Sequence, residues 1–328
     1  MQAPIRIAIA GHGNLGRGVE AALAKNPDMQ LTGIYTRRRP AQIRPLNAAT
    51  AVYGMDELPA HADAIDVLIL CGGSKEDLPA QGPKLAALFN TVDSFDTHAR
   101  IPEYFAAVDA PSRTNQKTAL ISAGWDPGVF SINRIMGEAL LPDGATYTFW
   151  GKGLSQGHSD AVRRVSGVAD GVQYTLPVPE AVAAVRSGTR PALTTRQKHT
   201  RECYVVLQDG ADPDAVRDAI VNMPHYFDEY DTTVHFISAD QLRREHSAMP
   251  HGGFVIRSGN TSDESAQIIE YGIKLHSNPE FTASVLVAYA RAVFRMHQMG
   301  QYGAKTVFDV APGLISPKSP ERLRAEQL

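Results

Sequence analysis

Cysteine is nearly absent from this chain: Cys71 and Cys203 are the two in 328 residues, too few for a disulfide framework. That scarcity suits a reducing compartment, and a cytoplasmic protein is expected. An excess of one charge is also missing. The 32 basic and 35 acidic side chains leave a formal net charge of −3, so nothing in the overall balance draws the chain to nucleic acid or to an anionic membrane. No apolar run approaches the roughly 18 residues of a membrane helix. The first run, residues 5–10, is stopped by Gly11 and is expected not to serve as a secretory leader. A metal-site signature is missing as well. His158, His246 and His251 show no H-E-x-x-H spacing and Cys203 stands alone, so no metal centre is expected. The G-x-S-x-G spacing occurs once, at Gly153-Leu154-Ser155-Gln156-Gly157, a five-residue pattern that is weak by itself, and acyl transfer is not expected.

What is there reads as a globular chain with 43% hydrophobic residues and a length that suits two domains. Residues 5–10 form a β-branched apolar run, and helical spacing follows over 15–25 through Leu15, Val19, Ala22 and Leu23. Strands are expected at 31–35, 65–71, 90–93 and 118–122, with helical spacing at 83–88. Strands alternating with helices predict a doubly wound parallel sheet, an N-terminal Rossmann domain over about 1–123. Beyond that the rhythm changes. Segments 146–150, 171–177, 199–207 and 232–238 alternate as one-face-exposed strands do, with a helix over 212–223 among them. An α+β substrate and dimerisation domain with an antiparallel sheet is expected over about 124–281. A helix over 282–298 and a strand over 306–310 should return to the first domain, completing it with residues 282–328. The last dozen residues read as a surface tail.

The glycine pattern Gly11-His12-Gly13-Asn14-Leu15-Gly16 follows a strand and opens a helix. Glycine is needed there for the tight turn, for backbone approach to a pyrophosphate, and for helix against strand. The helix N-terminus turns its N–H groups and positive dipole end towards phosphate. Where a reader of NAD places a carboxylate at the end of the second strand, this chain has Thr36-Arg37-Arg38-Arg39. Thr36, Arg37 and Arg38 suit the 2′-phosphate of NADP, which accepts forked charge-assisted bonds; a solvated basic turn is the plainer reading. Cys71, Gly72, Gly73 and Ser74 end the next strand, where small residues let the dinucleotide lie close. Cys71 itself reads as a small buried apolar side chain.

Further segments are distinctive together: residues 92–96, 122–128, 149–160, 173–177, 249–253 and 278–283. In order along the whole chain they resemble the diaminopimelate dehydrogenase family. The resemblance implies a homodimer that uses NADP to deaminate meso-2,6-diaminopimelate at its D-centre, giving L-2-amino-6-oxopimelate and ammonia in lysine biosynthesis. It assigns Asp96 and Asp126 to the D-centre amine as catalytic candidates. Both follow strands of the Rossmann sheet, where carboxylates could hold an ammonium and accept a proton; helix-capping or turn duty is the other reading. It assigns Thr175, Arg201 and His251 to the L-centre, Trp150 and Gln156 to the reacting end, and Gly157 to substrate binding. Each has a plainer alternative: Thr175 as a strand residue, Arg201 as a solvated edge charge, Trp150 as core, and Asn278 as substrate contact or helix cap.

His251 is placed in a loop, and His12 is expected to point outward with little consequence. The polar stretch 260–266 is left as a loop without assignment. Retention of Gln156, Asp160, Thr175, Arg201 and His251 suits a restricted pocket. A D-amino-acid dehydrogenase of broader scope and a non-catalytic NADP sensor stay open as alternatives. Substrate is expected to bind where domain closure excludes water from the hydride path.

Overall fold

The computed structural model describes residues 3–328; Met1 and Gln2, which open the stretch read above for a leader, lie outside them. The chain begins with β1 (Ile5–Ala10), α1 (Asn14–Leu23), β2 (Met29–Thr36), β3 (Val52–Gly54), β4 (Val67–Leu70), α2 (Asp77–Ala86), β5 (Thr91–Asp93), α3 (Ile101–Thr114) and β6 (Thr118–Leu120). After α4 (Val129–Leu140) come β7 (Asp143–Trp150), β8 (Gly153–Leu154), α5 (Gln156–Arg163), β9 (Val168–Pro177), α6 (Pro179–Arg186), α7 (Thr195–Lys198) and β10 (His199–Leu207). Then follow α8 (Pro213–Val221), β11 (Asp231–Phe236), α9 (Ala239–Glu245), β12 (His251–Ser262), β13 (Ser265–Leu275), α10 (Asn278–Gln298), β14 (Gly303–Lys305), α11 (Pro312–Ile315) and α12 (Pro320–Gln327). The chain divides into unit 1, residues up to Ile132 plus Pro279–Leu328, and unit 2, Asn133–Asn278.

Unit 1 is built on a seven-stranded parallel sheet ordered β14-β6-β5-β4-β1-β2-β3. Both faces of the sheet are covered. Ile7 and Ile9 pack with Val19 and Leu23 of α1 and Leu286 and Val293 of α10. Ala8, Leu68 and Leu70 point the other way, onto Leu78 of α2 and Tyr104 and Val108 of α3. Alternate residues of one strand thus reach two cores, which is why these strands read as continuous apolar runs. The C-terminal segment is tied in by Arg291. Its buried guanidinium donates to Asp28 Oδ2 at 2.6 Å, Asn26 Oδ1 at 2.8 Å and the Ile315 carbonyl at 2.9 Å.

The strands expected to form an antiparallel sheet lie in two sheets of unit 2. One has the order β11-β10-β9-β8, with β10 and β11 parallel; the other is β13-β12-β7 and antiparallel. Residues Val162, Cys203, Val205, Ile220 and Phe227 fill the core between the first sheet and its helices.

Several expectations are corrected. His251 is not in a loop but opens β12, a strand of 12 residues. The glycines beside it mark close approach rather than a break: a Cβ on Gly253 would stand 2.2 Å from the Phe149 carbonyl oxygen. The stretch 260–266 is the tip of the β12–β13 hairpin. No strand occupies 306–310. Thr306 caps a 3-10 turn instead, its N–H donating to Asp309 Oδ2 at 2.7 Å, and the strand that joins β6 is Gly303–Lys305. The expected tail carries the exposed helix α12. α3 had no counterpart in the sequence reading because Pro102 and Pro111 interrupt its pattern, yet Pro102 sits in the first helical turn, where its missing N–H costs nothing.

Candidate active site

Unit 1 assembles the glycine loop as the motif requires. Gly11 has φ +99° and its N–H donates to the Tyr35 carbonyl at 2.8 Å. A Cβ on Gly16 would lie 2.2 Å from the Gly11 carbonyl oxygen, so loop and α1 meet without room for a side chain. At Gly13 a Cβ would touch nothing within 4 Å. The open side of the loop therefore lies at Gly13, the residue before α1, where no side chain caps the helix. Asn14, Leu15 and Gly16 form the first turn of α1. A pyrophosphate fits this cradle.

His12 does not point outward. It is buried, with Nε2 3.1 Å from Glu20 Oε2, and the other oxygen of Glu20 accepts from the Asn47 N–H at 3.0 Å. Glu20 lies two helical turns along α1, on the same face as the loop, and draws the imidazole inward. The Arg38 guanidinium in turn donates to the His12 carbonyl. Thr36, buried at the end of β2, accepts from the Arg38 N–H at 3.1 Å. Arg37 pairs with Asp77 at 2.7 Å, and Asp77 also accepts from the Gly73 N–H at 2.9 Å. Both arginines named from sequence thus stand beside the glycine loop and the Gly72-Gly73 turn. Cys71 follows β4, and burial pushes its thiol well up, which suits an inert side chain.

Ser74 links the cofactor turn to the first acid. Its hydroxyl accepts from the Asp96 N–H at 2.8 Å and lies 3.3 Å from the Thr97 hydroxyl. Asp96 is exposed, and among the described residues its carboxylate takes no hydrogen bond or ion pair. The 3-10 turn after it is preceded by Thr97, and α4 begins at Val129, so neither Asp96 nor Asp126 occupies a cap. The half-buried Asp126 sits in the tight turn closed by the Gly124 N–H donating to the Pro127 carbonyl at 2.9 Å.

Asp93, which the sequence reading passed over, ties the ends of β5 and β6 together. Its Oδ1 accepts from the Phe95 and Ser122 N–H groups at 2.9 and 3.1 Å, and Oδ2 accepts from the Tyr104 hydroxyl at 2.8 Å. Burial pushes its pKa up to about 6 against the pull of those donors. The two acid-bearing turns leave the sheet from strands that one carboxylate pins.

In unit 2 the other named residues gather around one end of the four-stranded sheet. Thr175 and Arg201 are directly opposite across β9 and β10, and the guanidinium donates to the Thr175 hydroxyl. Thr175 also faces Gly153 of β8, and a Cβ there would lie 2.4 Å from the His251 ring. Gln156 begins α5, with Nε2 3.0 Å from the Met249 sulfur, while Gly157 follows with open space beside it. The Asn278 N–H donates to the Met249 carbonyl at 2.9 Å, which brings Asn278 to the same corner. Trp150 ends β7; its N–H donates to His199 Nε2 at 2.8 Å and the two rings stack at 5.3 Å. Asp160 pairs with Arg163 on the exposed side of α5.

Arg201 is the electrostatic centre of this corner. It is 6% exposed, on a strand with neighbours on both sides, so it is not a solvated edge charge. Its Nε has no partner, and no carboxylate pairs with it among the described residues. The other buried arginines differ: Arg291 has Asp28, and Arg257 reaches the Leu141 and Pro142 carbonyls and the Thr146 hydroxyl. Burial, and then the Arg201 charge, lower His158 to about 4; burial, Arg201 and Lys198 lower His199 to about 3. Two neutral imidazoles therefore share the corner with one uncompensated cation. Such a cation calls for an anionic ligand.

Residues 124–277 match the family model described as the diaminopimelic acid dehydrogenase C-terminal domain. A meso-diaminopimelate D-dehydrogenase of Ureibacillus thermosphaericus is 61% identical over 324 residues, 99% of both chains. This chain belongs to the diaminopimelate dehydrogenase family. The family fold extends over the whole length. The Corynebacterium glutamicum DAP dehydrogenase in complex with DAP superposes with a TM-score of 0.92 at 46% identity, covering 100% of both chains. An engineered D-amino acid dehydrogenase bound to NADP+ gives 0.87 at 44% identity, covering 99% of this chain and 100% of the other.

Glu20, Asp77, Asp93 and His199 were all missed from sequence. A signal existed for one of them. His199, Arg201, Cys203 and Val205 are buried in alternation along β10, so a histidine and an arginine in phase with apolar positions marked an inward-facing polar pair. For Glu20 no local pattern distinguishes a buried carboxylate from a solvated helix face. Among the described residues no helix is long and apolar enough to cross a membrane, and no group of His, Cys, Asp or Glu could hold a metal ion.

Proposed function

We propose that this chain catalyses the reversible oxidative deamination of meso-2,6-diaminopimelate at its D-centre, yielding L-2-amino-6-oxopimelate and ammonia. The observation that carries the reading is Arg201, a buried guanidinium without a carboxylate, in a family whose members are named for a dicarboxylic diamino acid. Arg201, Thr175 and His251 take the L-centre, with Arg201 forked onto its carboxylate. Asp96 and Asp126 take the D-centre ammonium. Trp150, Gln156, Gly157 and Asn278 orient the reacting end. NADP, when bound, supplies the hydride acceptor.

The roles of the chain's own groups follow from charge. An ammonium must lose a proton before its Cα–H bond can give up hydride, and a carboxylate beside it both holds the cation and lowers the cost of proton transfer. Asp96, whose carboxylate takes no partner among the described residues, has its acceptor oxygens available for that ammonium. Water then adds to the imine carbon and ammonia leaves. Gly11, His12, Gly13, Asn14, Leu15 and Gly16 surround the pyrophosphate. Cys71, Gly72, Gly73 and Ser74 form the neighbouring wall. Thr36, Arg37 and Arg38 grip the 2′-phosphate and account for preference over NAD.

The enzyme is proposed to act in the cytoplasm as a homodimer, in diaminopimelate and lysine biosynthesis. Ile135, Met136 and Leu140 on α4 and Ile269 and Tyr271 on one face of β13 are exposed at 36–59%, apolar side chains on unit 2 that suit contact with a second copy. Sedimentation equilibrium at twice the chain mass is expected.

Absorbance at 340 nm tests the activity. NADPH should form with meso-diaminopimelate and NADP, and much more slowly with NAD, with LL-diaminopimelate or with D-alanine. Equal rates with the LL and meso isomers would overturn the assignment, and efficient turnover of D-alanine would favour a broad D-amino-acid dehydrogenase.

A further inference from the structure

Arg201 has a second neighbour that belongs to none of the roles above. The Tyr230 ring lies under the guanidinium, with Cζ 3.9 Å from the ring centroid. Tyr230 is the residue before β11, and its own backbone is fastened on both sides. Its N–H donates to the Phe227 carbonyl at 2.9 Å, with Phe227 fully buried. Arg196 of α7 donates to the Asp228 carbonyl at 2.9 Å and pairs with Asp231 at 2.5 Å. The ring is therefore held in place rather than resting on the surface.

A guanidinium laid flat on an aromatic face gains from the ring quadrupole while all its N–H groups still point outward in its own plane. Thr175 takes one of those donors, and Nε takes none. With its carbon 3.9 Å over the Tyr230 ring and its Nε without a partner, Arg201 keeps donors for a planar carboxylate, which it can take by a two-point bond. Without the ring, a long side chain with several rotatable bonds would sample other orientations, and that entropy would be lost on binding.

We propose that Tyr230 is a positioning residue for the distal carboxylate: it orients Arg201 and thereby sets affinity for a substrate with a second amino-acid end. The inference rests on the reading of Arg201 as the ligand of that carboxylate. Tyr230 acts through Arg201 and takes no part in the hydride or proton steps.

The test is a double-mutant cycle between Tyr230→Leu and Arg201→Met, reading KM for meso-diaminopimelate, KM for NADP and kcat. Tyr230→Leu is expected to raise KM for meso-diaminopimelate about ten-fold, on the scale of one ordered interaction to a charged group. KM for NADP should stay within two-fold. Tyr230→Phe keeps the ring face but loses the hydroxyl that also bonds the guanidinium, so it should raise KM less than Tyr230→Leu. In the Arg201→Met background, Tyr230→Leu should add no further change, because the group it orients is gone. An equal rise in both backgrounds would show a merely structural role and overturn the inference. So would an unchanged KM in Tyr230→Leu alongside a raised KM in Arg201→Met. An unchanged KM in Arg201→Met would instead sink the reading of Arg201 itself. If Tyr230→Leu does not fold, Tyr230→Met is read in the same cycle.

Discussion

His12 Nε2 lies 3.1 Å from Glu20 Oε2, so a residue of the glycine loop is bound, inside the fold, to the helix that the loop introduces. The pair extends further than the loop. Glu20 also takes the Asn47 N–H, and the His12 carbonyl receives Arg38, so one buried carboxylate steadies the glycine loop that also receives the arginine after β2. Glu20→Ala should leave these groups unpaired and cost about 1–3 kcal/mol of stability. It should also raise the NADP dissociation constant several-fold, whereas Glu20→Gln, which keeps an acceptor for Asn47, should lose less. Thermal unfolding and fluorescence titration with NADP check both parts, and equal losses in the two variants would contradict the account.

Arg37 and Arg38 differ in what they hold before any phosphate arrives: Arg37 has Asp77, and Arg38 has the His12 carbonyl. On the proposed 2′-phosphate role, Arg37→Ala and Arg38→Ala should each weaken NADP by about ten-fold or more and NAD much less. Calorimetric titration with the two dinucleotides measures the ratio. A parallel loss for both would place the arginines elsewhere than at that phosphate.

Asp93 should leave a mark on the pH dependence of stability. Its pKa rises from 3.8 to about 6 on folding, so between those values the native state binds more protons than the unfolded chain. Stability from this group is present below pH 3.8 and is lost as pH rises to about 6, by about 3 kcal/mol in all. Asp93→Asn keeps an acceptor for Phe95 and Ser122 and can take Tyr104 as its own acceptor, so it should flatten that slope. Asp93→Ala should lower kcat as well, since the turns bearing Asp96 and Asp126 lose their common anchor. Urea titrations across pH 4–7 give the slope directly.

His158 and His199 act in the opposite sense. Their folded values of about 4 and about 3 lie below 6.5, so the unfolded chain binds more protons in that window. Stability is complete above pH 6.5 and falls as the pH drops towards about 3, by about 3 kcal/mol for His158. Protonation of His199 also removes the acceptor of the Trp150 N–H. Arg201→Met deletes one of the causes that depress both rings. Imidazole NMR titration should then show both moving upward, and unchanged values would mean burial alone sets them.

The cofactor half of this protein was largely legible in the sequence because its determinants are contiguous. A strand, three glycines and a helix start lie within a dozen residues, and their geometry follows from backbone sterics and a helix dipole that any such segment carries. The absence of a carboxylate after Tyr35 is likewise a local fact. The β12–β13 hairpin was not legible: Gly252 and Gly253 read as punctuation until the Ile273 carbonyl for the first and the Phe149 carbonyl, about a hundred positions away, for the second explain them by close approach. His12 was misjudged for the same reason, since its direction depends on a partner on the far side of the loop.

Composition and local pattern by themselves determined the class of this protein: a Rossmann sheet that opens the chain, a glycine turn before a helix, two acids at strand ends, and basic residues in place of a carboxylate after the second strand. Only the tertiary structure decided which polar groups are buried and what they meet. Arg201 could have been a surface charge until β10 was placed between β9 and β11, and Tyr230 could have been any loop aromatic until Arg201 lay across it. Charge at a position is written in the sequence, but the cost of that charge depends on the water that neighbouring strands remove.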